Sequence, residues 1–87
     1  MKIEYAKTAS KVINAQDSKA KQRIKVAIYG LLEKPPKGDI KTLQGYNDGR
    51  KRLRKGDFRI IFKIVFDEKQ NEKLFIMDIG VRGDIYK

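Results

Sequence analysis

Cysteine and histidine are both absent from these 87 residues. Without cysteine there is no disulfide and no thiolate-held metal to staple a small domain. Without histidine the commonest metal ligand is missing, and so is the side chain that usually moves protons near neutral pH. No cofactor and no metal are therefore expected. No apolar run approaches the roughly 18 residues that span a bilayer, and the first residues carry no signal-peptide core. The sequence thus predicts a cytoplasmic protein with no membrane partner. Acidic residues are scarce as well, 11 Asp and Glu against 21 Lys and Arg, for a formal charge of +10. Such a surface attracts polyanions, whether nucleic acid, an acidic protein or anionic lipid; the plain alternative is charge that serves only solubility.

The positive charge is not spread evenly. From Arg50 to Arg59, six of ten residues are basic and one is acidic, so this stretch carries half of the net charge. It also reads as a β-hairpin, because Gly56-Asp57 suits a two-residue turn in which glycine takes a positive φ.

Hydrophobic content of 40% supports one core in one domain, residues 1–87. Lys2-Ile3-Glu4-Tyr5 alternates like a short strand. Ala6, Ala9, Val12 and Ile13 recur at helical spacing and predict a helix of about three turns. Asp17 or Ser18 can cap a second, longer helix carrying Ile24, Ala27, Ile28, Leu31 and Leu32, with Pro35-Pro36 as its stop. Residues 37–49 read as a connection anchored by Leu43 and Tyr46. The period then changes to two. Phe58, Ile60, Phe62, Ile64 and Phe66 form an inward face, and Phe75, Met77, Ile79 and Val81 are expected to do the same on the returning strand. The expected architecture is α+β, in the order β-α-α-β-β-β, with both helices on one face of a small antiparallel sheet.

Strand alternation places functional side chains. If Leu53 and Ile60 face the core, Arg52, Arg54, Arg59 and Lys63 face away from the helices, and Arg82 continues that side beyond Gly80. Arginine suits phosphate because its planar fork donates two parallel hydrogen bonds. Asp78 either holds one of these arginines or makes an ordinary surface ion pair. Tyr86 either stacks on a base or pins the tail.

Two runs carry a resemblance to a known family: Arg52-Leu53-Arg54-Lys55-Gly56-Asp57-Phe58-Arg59-Ile60-Ile61-Phe62, and Ile79-Gly80-Val81-Arg82-Gly83-Asp84-Ile85-Tyr86. Together with Leu31 to Asp39, they make nearly the whole chain similar to the RelE/ParE superfamily of bacterial toxins. The resemblance implies a RelE-like microbial ribonuclease fold and the toxin of a type II toxin–antitoxin system. The RelE-like branch consists of ribosome-dependent endoribonucleases that cut mRNA in the A site and so block translation. Carried over by position, Arg52 and Arg54 match the family's basic pair, Arg59 and Arg82 its two arginines, and Tyr86 its C-terminal tyrosine. These five are the candidate catalytic residues; Arg50, Lys51, Lys55 and Lys63 are further RNA-binding cations. Some ribonuclease members have lysine where this chain has Arg52 and Arg54, which leaves the general base open. Implied partners are mRNA, the ribosome and a RelB-like antitoxin. The ParE-like branch instead inhibits DNA gyrase without catalysis, and a non-catalytic nucleic-acid-binding module is a third reading. Metal-independent cleavage would run through attack of the ribose 2′-OH, with the arginines stabilising charge and Tyr86 a candidate for proton transfer.

Overall fold

The computed structural model describes residues 1–81 of the chain. A single five-stranded sheet carries two helices on one face, an α+β arrangement. The elements are β1 (Lys2–Tyr5), α1 (Lys7–Asn14), α2 (Ser18–Gly30), β2 (Asp39–Thr42), β3 (Lys51–Lys55), β4 (Phe58–Phe66) and β5 (Glu72–Val81). Spatial order is β1-β5-β4-β3-β2. The β2–β3, β3–β4 and β4–β5 pairs are antiparallel and β1–β5 is parallel, so the sheet is mixed. Neither helix of the described residues is long and apolar enough to cross a membrane.

Both helices follow from local chemistry. The Oδ1 of Asp17 accepts the Ala20 N–H at 2.8 Å and caps α2. Ile24 and Ile28, one turn apart, are fully buried on its inner stripe. α2 ends at Gly30, before the prolines rather than at them. Leu31 and Leu32 close it with tighter i→i+3 bonds to Ile28 and Tyr29, and the Gly30 carbonyl accepts from Lys37 N at 2.9 Å. α1 covers eight residues, less than its periodicity suggests. Ala6 is extended there and donates its N–H to the Ile76 carbonyl at 2.9 Å, which ties the helix start to β5.

The core consists of Ala9, Ile24, Ile28 and Leu31 from the helical layer against Leu53, Phe58, Ile60, Phe62, Leu74, Ile76 and Ile79 from the sheet. Three sequence expectations are corrected by this packing. First, β2 lies within what reads as a connection. Only Ile40 of its four residues packs on the core, too short a pattern for a period of two to show. Gly38, at φ +122°, brings the chain so close to Leu53 that a β-carbon would collide with the Leu53 side chain. Second, the inward residues of β5 are Leu74, Ile76 and Ile79, not Phe75 and Met77. The register shifts between Ile61 and Phe62, whose partners are Asp78 and Ile76, so Met77 is an extra residue that reverses the alternation. Third, Ile64 and Phe66 share the face of Phe62 yet are 41% and 59% exposed. The helical layer, with α1 seated on β5, leaves that end of β4 open.

Candidate functional site

The hairpin of β3 and β4 turns through Gly56-Asp57, and Gly56 has φ +56° at the first turn position, which glycine adopts without strain. This register fixes the face turned away from the helices. Asp39, Arg54, Arg59 and Gly80 lie in one cross-strand row, and Lys41, Arg52, Ile61 and Asp78 in the next. Arg54 stands directly opposite Arg59.

Like charges in such positions repel, and the surroundings hold them there by different means. Arg59 donates from Nη1 to the carbonyls of Gly56 at 3.1 Å and Phe58 at 3.2 Å, so the turn itself fixes its guanidinium. Arg54 is exposed. Among the described residues, neither Arg54 nor Arg59 makes an ion pair. Arg52 differs. It is on the same face but only 9% exposed, and its Nη2 lies 3.7 Å from Asp39 Oδ1. The sequence shows that Arg52 points outward; that it is also covered is visible only in the structure.

The β2–β3 loop folds over this face, with Leu43 and Tyr46 turned toward it. Asp48 fastens it. Its Oδ1 and Oδ2 accept from Arg50 Nε and Nη2 at 3.1 and 2.8 Å, and Oδ2 also accepts from Lys63 Nζ at 3.3 Å. The Arg50 hydrogen bonds, with help from Lys63, hold the Asp48 carboxyl far below the usual carboxylate range. Arg50 also lies over the Tyr46 ring, 4.0 Å from its centre. Beneath the loop is a cavity of about 400 Å³ lined by Leu43, Gln44, Tyr46, Ile61, Met77 and Asp78, with Arg50 at its wall. The loop covers Ile61, which explains why this outward residue is only 8% exposed.

The sequence-predicted cations therefore separate into groups. Arg52, Arg54 and Arg59 share the open face of the sheet, with Arg54 and Arg59 adjacent. Arg50 and Lys63 are on the same face, bound to one carboxylate. Lys51 and Lys55 have the parity of Leu53 and fall on the helix side, where Lys55 borders a groove with Val26, Ala27 and Leu53. Arg82 and Tyr86 lie outside the described residues. The residues that sequence reasoning missed are Asp48 and Gln44. A short carboxylate two positions before an arginine was the available signal for Asp48. Asp78 makes no ion pair among the described residues; its Oδ1 accepts the Ile79 N–H at 2.8 Å.

No family model matches the chain, and no curated protein matches it. Solved structures do. An archaeal RelE–RelB complex from Pyrococcus horikoshii is 24% identical, with 94% of each chain covered and a TM-score of 0.68. The toxin–antitoxin complex RelBE2 from Mycobacterium tuberculosis is 17% identical over 93% of this chain and 96% of the other, at a TM-score of 0.70. The isolated RelE toxin of E. coli is 23% identical over 98% of this chain and 89% of its own, at 0.65. The two helices on this five-stranded mixed sheet are the fold that these RelE structures share.

Proposed function

We propose that this protein is the toxin of a type II toxin–antitoxin system and a metal-independent endoribonuclease that cuts mRNA in the ribosomal A site. The observation that carries this reading is the pair Arg54 and Arg59, cross-strand neighbours on an open face that make no ion pair among the described residues. Two guanidinium groups side by side attract an anion, and a phosphodiester fits their hydrogen-bonding forks. In the reaction the ribose 2′ oxygen forms a bond to phosphorus as the bond from phosphorus to the 5′ oxygen breaks. The 2′ proton is lost, the leaving 5′ oxygen gains one, and a 2′,3′-cyclic phosphate remains. Arg54 and Arg59 stabilise the charge that builds on the phosphorane. Arg52, held near Asp39, supports them from the next row. Arg82 and Tyr86 belong to the same proposal by position, Arg82 for phosphate and Tyr86 for proton transfer, and act from the C-terminal residues.

A toxin of this kind works inside the cell and requires an antitoxin. The Pyrococcus neighbour is a RelE–RelB complex and the Mycobacterium neighbour a toxin–antitoxin complex, and a charge of +10 suits an acidic RelB-like partner. Induction in a bacterial host followed by primer extension tests the proposal. Growth should stop and new mRNA 5′ ends should appear within translated codons. Damaged DNA without new mRNA ends would replace this reading with gyrase inhibition. Arg82→Ala and Tyr86→Ala should each relieve the arrest without loss of fold, and a folded double variant that stays toxic would remove both from the site.

A further inference from the structure

The cavity beneath the β2–β3 loop has no task in the phosphate chemistry, yet it opens on the same face. Its volume, about 400 Å³, is within the ordinary range for small-ligand pockets of about 300–1,000 Å³. One wall is flat and fixed: Arg50, pinned by two hydrogen bonds to Asp48, stacked on a Tyr46 ring that is itself 51% exposed. Guanidinium planes and tyrosine rings are the surfaces on which unstacked bases of single-stranded RNA lie. Ile61 and Met77 supply an apolar floor. Met77 faces the cavity beside Asp78 because the β5 bulge turns two consecutive residues to one side.

We infer that this cavity is a nucleobase subsite and that it takes guanine. The choice of base follows from Asp78. Its carboxylate is oriented by the Ile79 N–H and keeps further acceptor positions on both oxygens. A fixed carboxylate accepts from two adjacent donors, and among the four RNA bases guanine alone offers them, N1–H beside the 2-amino group. Adenine and cytosine set a ring acceptor next to the amino group, and uracil flanks its one N–H with carbonyls. Position agrees with this. Asp78 is two residues along β5 from Gly80, which shares the row of Arg54 and Arg59, a spacing of about 7 Å. A strand whose phosphate rests on the arginine pair can therefore place an adjacent base in the cavity. This subsite rests on the RNA-cleaving reading and gives it a sequence preference built into the toxin itself.

The test uses the whole chain and short 2′-O-methyl RNAs, which cannot be cleaved, carrying guanine, inosine, adenine, cytosine or uracil at a single position. Guanine should bind about tenfold or more tightly than inosine, which lacks the 2-amino group. Asp78→Asn should abolish the preference, while Arg54→Ala should weaken all the RNAs alike. In the unsubstituted protein, guanosine monophosphate should shift the methyl signals of Ile61 and Met77, which makes the test independent of how any variant folds. Equal affinity for all bases, a preference retained in Asp78→Asn, or unmoved Ile61 and Met77 signals would each overturn the subsite and leave cleavage standing. Absence of binding to any RNA would overturn the reading of the arginine face together with the subsite.

Discussion

Arg54 and Arg59 face each other at a stability cost that the proposed function explains. Facing like charges across two strands destabilise by about 0.2–1 kcal/mol; Asp39 stands opposite Arg54 on its other side but makes its ion pair with Arg52, and neither Arg54 nor Arg59 makes an ion pair among the described residues. Arg54→Thr, which keeps a strand-forming side chain, removes the Arg59 repulsion and the facing Asp39 charge together, so it should change the stability of the free protein by less than about 1 kcal/mol in urea denaturation. The same change should lower RNA cleavage about 10²–10³-fold, the usual loss for one preorganised donor. A larger loss of stability together with full cleavage would show that Arg54 is structural. Asp48 gives a second residue-scale prediction. Its carboxyl titrates below the ordinary value of about 3.9 because Arg50 and Lys63 hydrogen-bond the charged form. A depressed folded-state value means that the anchor is at full strength above about pH 4 and is lost only as pH falls through the lower value. Exchange protection of the Leu43 amide, which donates to the Arg50 carbonyl at 3.2 Å, should thus be the same at pH 5 and pH 7 after correction for intrinsic rates. Asp48→Asn should lose that protection at both. Unchanged protection in the variant would mean that the loop holds itself without the carboxylate.

At the scale of elements, the β5 bulge decides which side chains are core and which line the outer face. Leu74 is fully buried and Phe75 half-buried on the opposite side. Leu74→Ala should cost about 2–5 kcal/mol, and Phe75→Ala distinctly less, in the same denaturation measurement. The reverse order would restore the uninterrupted alternation. This is where sequence reading stops. Leu74-Phe75-Ile76-Met77 is apolar at every position, so either parity satisfies it, and a one-residue bulge leaves no mark in such a run. β4 was legible because Arg59 and Lys63 interrupt its apolar residues on one side only, and the α2 start because Asp17 stands ahead of an apolar helical stripe. The same interruption placed Arg52, Arg54 and Arg59 on one face. Burial of Arg52 and the folding of the β2–β3 loop depend on contacts distant in sequence, Asp39 with Arg52 and Asp48 with Lys63, and no local pattern encodes them.

For the whole molecule, the charge of +10 overstates what RNA would meet under the proposed function. Arg50 and Lys63 share Asp48, and Lys51 and Lys55 lie on the helix side. Arg52 is covered beside Asp39, so the outer face offers three cations that make no ion pair among the described residues, Lys41, Arg54 and Arg59, to a single strand. Three phosphate contacts predict a slope of about −2 for log affinity against log salt. A much steeper slope would assign binding to the dispersed lysines and not to this face. The C-terminal Arg82 and Tyr86 are the remaining members of the proposed site, and they bear on catalysis more than on this slope.

The most direct measurement is cleavage of a defined mRNA on purified ribosomes, comparing the unsubstituted protein with folded Arg54→Ala and Arg59→Ala, with the ends identified chemically. The account predicts cuts within the A-site codon that leave 2′,3′-cyclic phosphate and 5′-OH ends, without added metal and about 10²–10³-fold slower in either variant. Uncut mRNA on programmed ribosomes, or cutting at the full rate by the variants, would contradict it.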